Sequence, residues 1–217
     1  MNNINTVTLT IIILTTAISL FGFVNREIFD RFKFNVEAIL RQKQWDRMLT
    51  SALLHGDFFH LLFNMLTLYF FSDIVIQGLG VNIYVVIYLA AILLGNGLSL
   101  WMNKKNPYYS AIGASGGVSG ILFASIALYP HLKLIIFPIP IPITGWIFGL
   151  LYMGYSIYAM QKRQDNIGHE AHLGGAFMGL LLAIIIEPSV LTHNGLYIAI
   201  ICIPLIVLGY FIYQERR

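Results

Sequence analysis

Gly113-Ala114-Ser115-Gly116-Gly117-Val118-Ser119-Gly120 runs without a break into Ile121-Leu122-Phe123-Ala124-Ser125-Ile126-Ala127-Leu128-Tyr129. The second half is apolar and uncharged; the first is a string of small residues that holds a serine. A helix begun at Ser115 puts a hydroxyl inside an apolar segment, where polar side chains are costly and usually functional. From Ser115 to Tyr129 is about 15 residues, or roughly 22 Å of helix. The hydrocarbon core of a bilayer is about 30 Å thick, so a helix that reaches the far surface untilted starts roughly 8 Å below the near one.

Similar apolar runs fill the rest of the chain. A span needs roughly 20 apolar residues, and candidates lie at 7–24, 59–76, 83–101, 114–129, 143–160, 171–186 and 196–213. The 217 residues are 58% hydrophobic and 11% charged, against about 25% charged in soluble domains. A water-soluble surface cannot be built from that composition, which excludes a soluble domain of any size. The reading is an all-α membrane protein, a single transmembrane domain over 1–217. The first span starts too early and runs too long for a cleaved signal peptide, and lacks a basic leader and an Ala-x-Ala site, so it reads as a retained helix. The short tails and lack of a transit sequence suit a bacterial inner membrane.

Cys202 is the one cysteine. It lies in the last span, cannot pair within the chain and has no metal-ligand spacing. Neither metal nor cofactor is expected. The net charge of +3 is modest, and the basic residues sit in loops beside spans, which suits lipid headgroups rather than nucleic acid. The first loop, 25–57, mixes Arg26, Arg31, Lys33, Arg41, Lys43 and Arg47 with acids and with Phe29, Phe32, Phe34 and Trp45. Such a mixture predicts short amphipathic pieces in the interface, with Trp45 and Arg47 as structural anchors. Pro138, Pro140 and Pro142 make a stiff, extended approach to the fifth span.

The remaining polar residues inside spans cluster. His60 and Asn64 stand i,i+4 on one face of the second span. His172 opens the sixth, inside Gly168-His169-Glu170-Ala171-His172-Leu173-Gly174-Gly175. Because spans alternate in direction, the second, fourth and sixth all begin on one membrane face, and helix lengths place Asn64, Ser115 and His172 at similar depth. Gly116 and Gly120 are four apart, as are Gly175 and Gly179; small residues so spaced let membrane helices touch backbone to backbone. The fourth span packed on the sixth brings Ser115 within reach of His172. Serine is a weak nucleophile until a base takes its proton, and imidazole is suited to do so. Glu170 points away from His172 on a helix, so a Ser–His dyad is expected. Asn64, His60 and the Ser115 backbone N–H are the candidate oxyanion donors. His55 reads as a loop contact, and His131 and His193 as loop residues.

These motifs, with Trp45-Asp46-Arg47, resemble the rhomboid family of intramembrane proteases over roughly 45–187. The resemblance implies a six-helix transmembrane bundle with a catalytic core about 45–190, plus one added C-terminal helix about 194–214. It implies Ser115 as nucleophile, His172 as general base, and His60 and Asn64 at the oxyanion. Substrates would be transmembrane helices of other proteins, admitted from the bilayer between the second and fifth spans under a cap near 161–170. Many members carry an aromatic residue four positions after the serine, packed on the base. Here that position is Ser119, so the base relies on other groups. The family implies that the site faces away from the cytoplasm. Charge points the other way: only Lys133 of 13 Lys and Arg lies opposite the site, and basic residues favour the cytoplasmic side. A catalytically inactive relative that binds membrane clients keeps the same fold but has no need of both Ser115 and His172. A transporter would need paired charges or broken helices in repeated halves, and neither is evident.

Overall fold

The structure is a computed structural model that describes residues 4–136, 139–162 and 167–215. The chain opens with α1 (Thr6–Val24). The first loop then folds as α2 (Arg26–Phe32), strand β1 (Phe34–Asn35), α3 (Val36–Leu40), α4 (Arg47–Thr50) and a turn of 3₁₀ helix, Ser51–Leu53. Two long helices follow, α5 (Phe58–Leu79) and α6 (Val81–Asn103), then strand β2 (Ser110–Ala111) and α7 (Ser115–Leu128). Strands β3 (Lys133–Ile136) and β4 (Ile139–Thr144) lead to α8 (Gly145–Lys162), α9 (His169–Ile186) and α10 (Ser189–Glu215). Among the described residues, five helices are long and apolar enough to cross a membrane: α1, α5, α6, α9 and the Ser189–Leu208 part of α10. The apolar α7 is shorter, as a helix that begins below the surface must be.

The fold is that of an all-α membrane protein, with two short antiparallel strand pairs in its loops. β1 pairs with β2, Phe34 opposite Ala111. β3 pairs with β4, Lys133 opposite Thr144. The proline-rich approach to the fifth span is therefore a hairpin arm where it is described; Pro138 itself lies outside the described residues. Pro140 and Pro142 fit a two-stranded ladder because only one side of each strand must donate.

α7 is the centre of the bundle. Every residue from Gly116 to Ala127 is buried, as befits a helix with no polar face. α5, α6 and α9 pack around it, and α8 and α10 close the far side. At its C-terminal end the Asn194 amide of α10 donates to the Ala127 and Leu128 carbonyls, at 2.9 and 3.0 Å. Carbonyls of a last helical turn have no intrahelical partner, so the added C-terminal helix caps the central one. His193 lies in the first turns of α10 rather than in a loop, and His131 packs edge-on against Tyr197 of the same helix.

The first loop is more than interfacial pieces. Phe34, Val36 and Ile39 form a small buried core of their own, with Tyr109 against it. Arg47 is buried and does anchor the loop. Its guanidinium donates to the Asp30 and Lys33 carbonyls at 2.8 and 2.7 Å and to Gln44 Oε1 at 2.6 Å. Trp45 stays half exposed.

Candidate active site

Glycine sets the spacing of α7 and α9. A Cβ on Gly175 would collide with the Gly116 carbonyl, one on Gly179 with the Gly120 carbonyl, and one on Gly120 with Ala91 of α6. All four glycines singled out in the sequence thus meet at one backbone-to-backbone seam. A second seam, without a paired-glycine spacing, joins α6 and α9. There a Cβ on Gly174 would lie 2.8 Å from Gly95 Cα.

The seam brings the first turns of α7 and α9 together. His172 Nε2 lies 2.7 Å from Ser115 Oγ. His60, Asn64, Ser115 and His172 all line one cavity of about 920 Å³. Gly56, Asp57 and Tyr109 line it from the loops, and Phe63 of α5, Leu122 of α7 and Phe148 of α8 line it from the helices. The cap near 161–170 falls partly outside the described residues, though Ile167 and Gly168 line the cavity.

Ser115 is the first residue of α7. Its N–H is therefore among those at a helix start without an intrahelical acceptor, at the positive end of the helix dipole. Asn64 Nδ2 gives one hydrogen to the His60 carbonyl at 2.9 Å, and a primary amide carries a second. His60 Nδ1 accepts from the Gly56 N–H at 3.4 Å. In the neutral ring that leaves Nε2 as the donor. Nε2 lies against Gly113, whose Cβ, if it had one, would be 2.9 Å away. Gly113 also has φ +124°, a conformation that side chains rarely adopt. Glycine is required there on both counts.

His55 does far more than a loop contact. It is fully buried and edge-on to His60, with ring centroids 4.8 Å apart. The Ala114 N–H donates to its Nε2 at 3.3 Å. Its Nδ1 must then carry the proton, donating to Ser19 Oγ at 2.9 Å, while the Ser19 hydroxyl donates to the Leu53 carbonyl at 2.8 Å. This chain ties α1 to the backbone that presents Ser115. Burial, and next the neighbouring His60, push the His55 imidazole down from 6.5 to about 3. Unfolded, the ring takes a proton near pH 6.5; folded, only near pH 3. Between those values the unfolded state binds more protons, so stability falls as pH falls through that window and is fully present above it. Thermal melts in detergent should show this decline from pH 7 to 4, and His55→Gln should flatten it.

Glu170 points away from His172, as expected. Its carboxylate accepts from Asn103 Nδ2 at 3.3 Å and from the Tyr109 hydroxyl at 3.5 Å. His169 is buried, edge-on to both Tyr155 and His172. Nothing in the sequence pointed to Tyr152 of α8. Its ring lies nearly parallel to that of His172, 18° between planes and 6.1 Å between centroids. Its hydroxyl is 2.7 Å from Ser119 Oγ.

Residues 42–189 match the family description Rhomboid domain. The chain is 31% identical over 146 residues to "Rhomboid protein 1, mitochondrial" of Saccharomyces cerevisiae, covering 66% of this chain and 42% of that protein. It is 31% identical over 163 residues to the rhomboid protease GluP of Bacillus subtilis, covering 75% and 30%. To the rhomboid protease AarA of Providencia stuartii it is 25% identical over 233 residues, covering 95% and 82%. The match thus spans less than half the length of the first two.

Proposed function

The chain belongs to the rhomboid family, and on that premise we propose that it is an intramembrane serine endopeptidase that cuts transmembrane segments of other membrane proteins. The observation that carries this reading is the 2.7 Å approach of His172 Nε2 to Ser115 Oγ inside a cavity lined by both polar loop residues and apolar helix faces. The protease names of the Bacillus and Providencia relatives support it.

The chemistry needs no cofactor. His172 Nε2 takes the Ser115 hydroxyl proton as Oγ bonds to the scissile carbonyl carbon. The resulting oxyanion meets the Ser115 N–H, the free hydrogen of the Asn64 amide and the His60 Nε2–H. His172 then passes its proton to the amine as the C–N bond breaks, leaving an acyl-serine. Water, losing a proton to His172, attacks the ester; Ser115 regains its hydrogen and the new carboxyl terminus departs. Ser115 and His172 work as a dyad. Asn64→Ala should lower kcat about 100-fold with little change in KM, measured on a purified transmembrane-helix substrate.

We read residues 1–217 as one catalytic domain, with a core about 45–190 and an added helix about 194–214. It sits in a bacterial inner membrane with Ser115 facing away from the cytoplasm. The bacterial relatives support that setting, whereas the yeast relative carries a mitochondrial name. α10 ends on the face where α7 begins, so an alkaline phosphatase fused after Arg217 should be active. The charge distribution alone anticipates the reverse.

The activity is tested by co-expressing the protein with a reporter whose transmembrane helix is unstable. The wild type should release a product that Ser115→Ala and His172→Ala do not. Product surviving Ser115→Ala would overturn the proposal. Capture of the reporter by wild type without product would favour an inactive client-binding protein.

A further inference from the structure

Three helices meet at the base. α7 supplies Ser115, α9 supplies His172, and α8 supplies the ring that lies along the imidazole. The parallel Tyr152 ring is within the separation at which rings interact. It is held from several sides: Ser119 takes part in a 2.7 Å bond with its hydroxyl, Phe123 packs at 5.3 Å and Phe148 at 5.6 Å. Position 119 is four after Ser115, so Ser115 and Ser119 share one face of α7. The nucleophile and the hydroxyl that holds Tyr152 are therefore fixed to the same rigid element.

Tyr152 also lines the cavity, together with Phe148 of α8 and opposite Phe63 and Thr67 of α5. α8 is thus a wall of the space a substrate must occupy and the carrier of the ring beside the base. An imidazole that takes the serine proton becomes a cation, and a cation near an aromatic face is stabilised. An imidazole without the ring is freer to rotate away from Ser115 Oγ, and small misplacements of reacting groups are costly in rate.

We propose that Tyr152 is a positioning residue for His172, held in place by Ser119, so that the base is aligned only while α8 is seated against α7. The proposal rests on the serine-protease reading.

The test compares purified wild type with Tyr152→Met, Tyr152→Ala, Tyr152→Phe, Ser119→Ala and the double variant Tyr152→Ala with Ser119→Tyr, on one transmembrane-helix substrate. Methionine keeps most of the volume and removes the ring. It should lower kcat about tenfold with KM within about twofold. Phenylalanine keeps the ring but, like Ser119→Ala, loses the 2.7 Å bond that holds it, so each should lower kcat only partly, by about threefold. In the double variant a tyrosine from α7 reaches the space that Tyr152 leaves and should recover most of the lost kcat. Equal kcat for wild type and Tyr152→Met would overturn the proposal. So would a loss that tracks melting temperature across the set, or one as large in Tyr152→Phe as in Tyr152→Met, or one that the relocated ring does not restore. Absence of any cleavage by wild type would instead remove the serine-protease reading beneath it.

Discussion

Ser115→Ala should lower the rate of substrate cleavage by at least about 10⁴-fold, and His172→Ala by a similar factor. The two side chains do one thing together. Oγ cannot attack with its proton in place, and Nε2 at 2.7 Å is the group set to take it. Removing either partner removes the whole covalent route, so the double variant should be no slower than the single ones within error. What remains would come from oxyanion donors that no longer have a nucleophile to serve. Neither change should disturb the fold, since Ser115 is half buried at the start of α7 and its hydroxyl meets the cavity. Melting temperatures within a few degrees of wild type would verify that the loss is chemical. An additive loss in the double variant would mean that the two residues act independently, contrary to the dyad.

Gly175→Val should be as damaging to activity but for a different reason. At Gly175 the first atom of any side chain collides with the Gly116 carbonyl, one residue beyond the nucleophile. The obstacle is backbone inside a fully buried helix, which cannot turn aside as a flexible side chain would. Overpacked cores lose about 1–3 kcal/mol, occasionally more, and this contact belongs at or above the upper end. For a chain of this size that corresponds to a melting temperature lower by about 5–10 °C. The helices must also separate by a good part of an ångström, enough to break the Ser115–His172 bond. Gly179→Val should behave similarly, a turn deeper against the Gly120 carbonyl. Gly97→Ala and Gly154→Ala serve as controls, because an added Cβ at either meets nothing within 4 Å. Those two should leave both melting temperature and cleavage unchanged.

The two effects separate what could be read along the chain from what could not. Inside an apolar span a serine, an asparagine or a histidine is conspicuous, and helical geometry then fixes its depth and face. That is why Ser115, His172, Asn64 and His60 could be named together, and why the i,i+4 glycines could be assigned to a common seam. Gly95 and Gly174 make the neighbouring seam, where the spaced small residues of α6 are Ala91, Gly95 and Ser99, a mixed set less conspicuous than paired glycines. Tyr152 was hidden because the fifth span carries Tyr152, Tyr155 and Tyr158 and nothing in their spacing singles one out; only the packing of α8 against α9 sets its ring beside an imidazole. His55 lies outside any periodic segment, where polar residues carry no message until the Ala114 N–H and Ser19 are found on either side of it. The hairpin of β3 and β4 was equally hidden, because prolines at alternate positions suit an unpaired extended strand as well as one arm of a ladder. The first loop looked interfacial by composition, yet Phe34, Val36 and Ile39 turn inward to make a core, which amphipathic composition alone does not distinguish from insertion into headgroups.

The central claim is that Ser115 is an activated nucleophile and that His172 activates it. A fluorophosphonate probe tests this without any knowledge of the natural substrate, because it phosphonylates a serine only where a base draws off the proton. Incubated with the purified protein in detergent, it should form a covalent adduct that peptide mapping locates at Ser115. The adduct should be absent in Ser115→Ala and reduced to background in the correctly folded His172→Ala. Labelling that persists undiminished in His172→Ala, or that maps to a serine other than Ser115, would contradict the account.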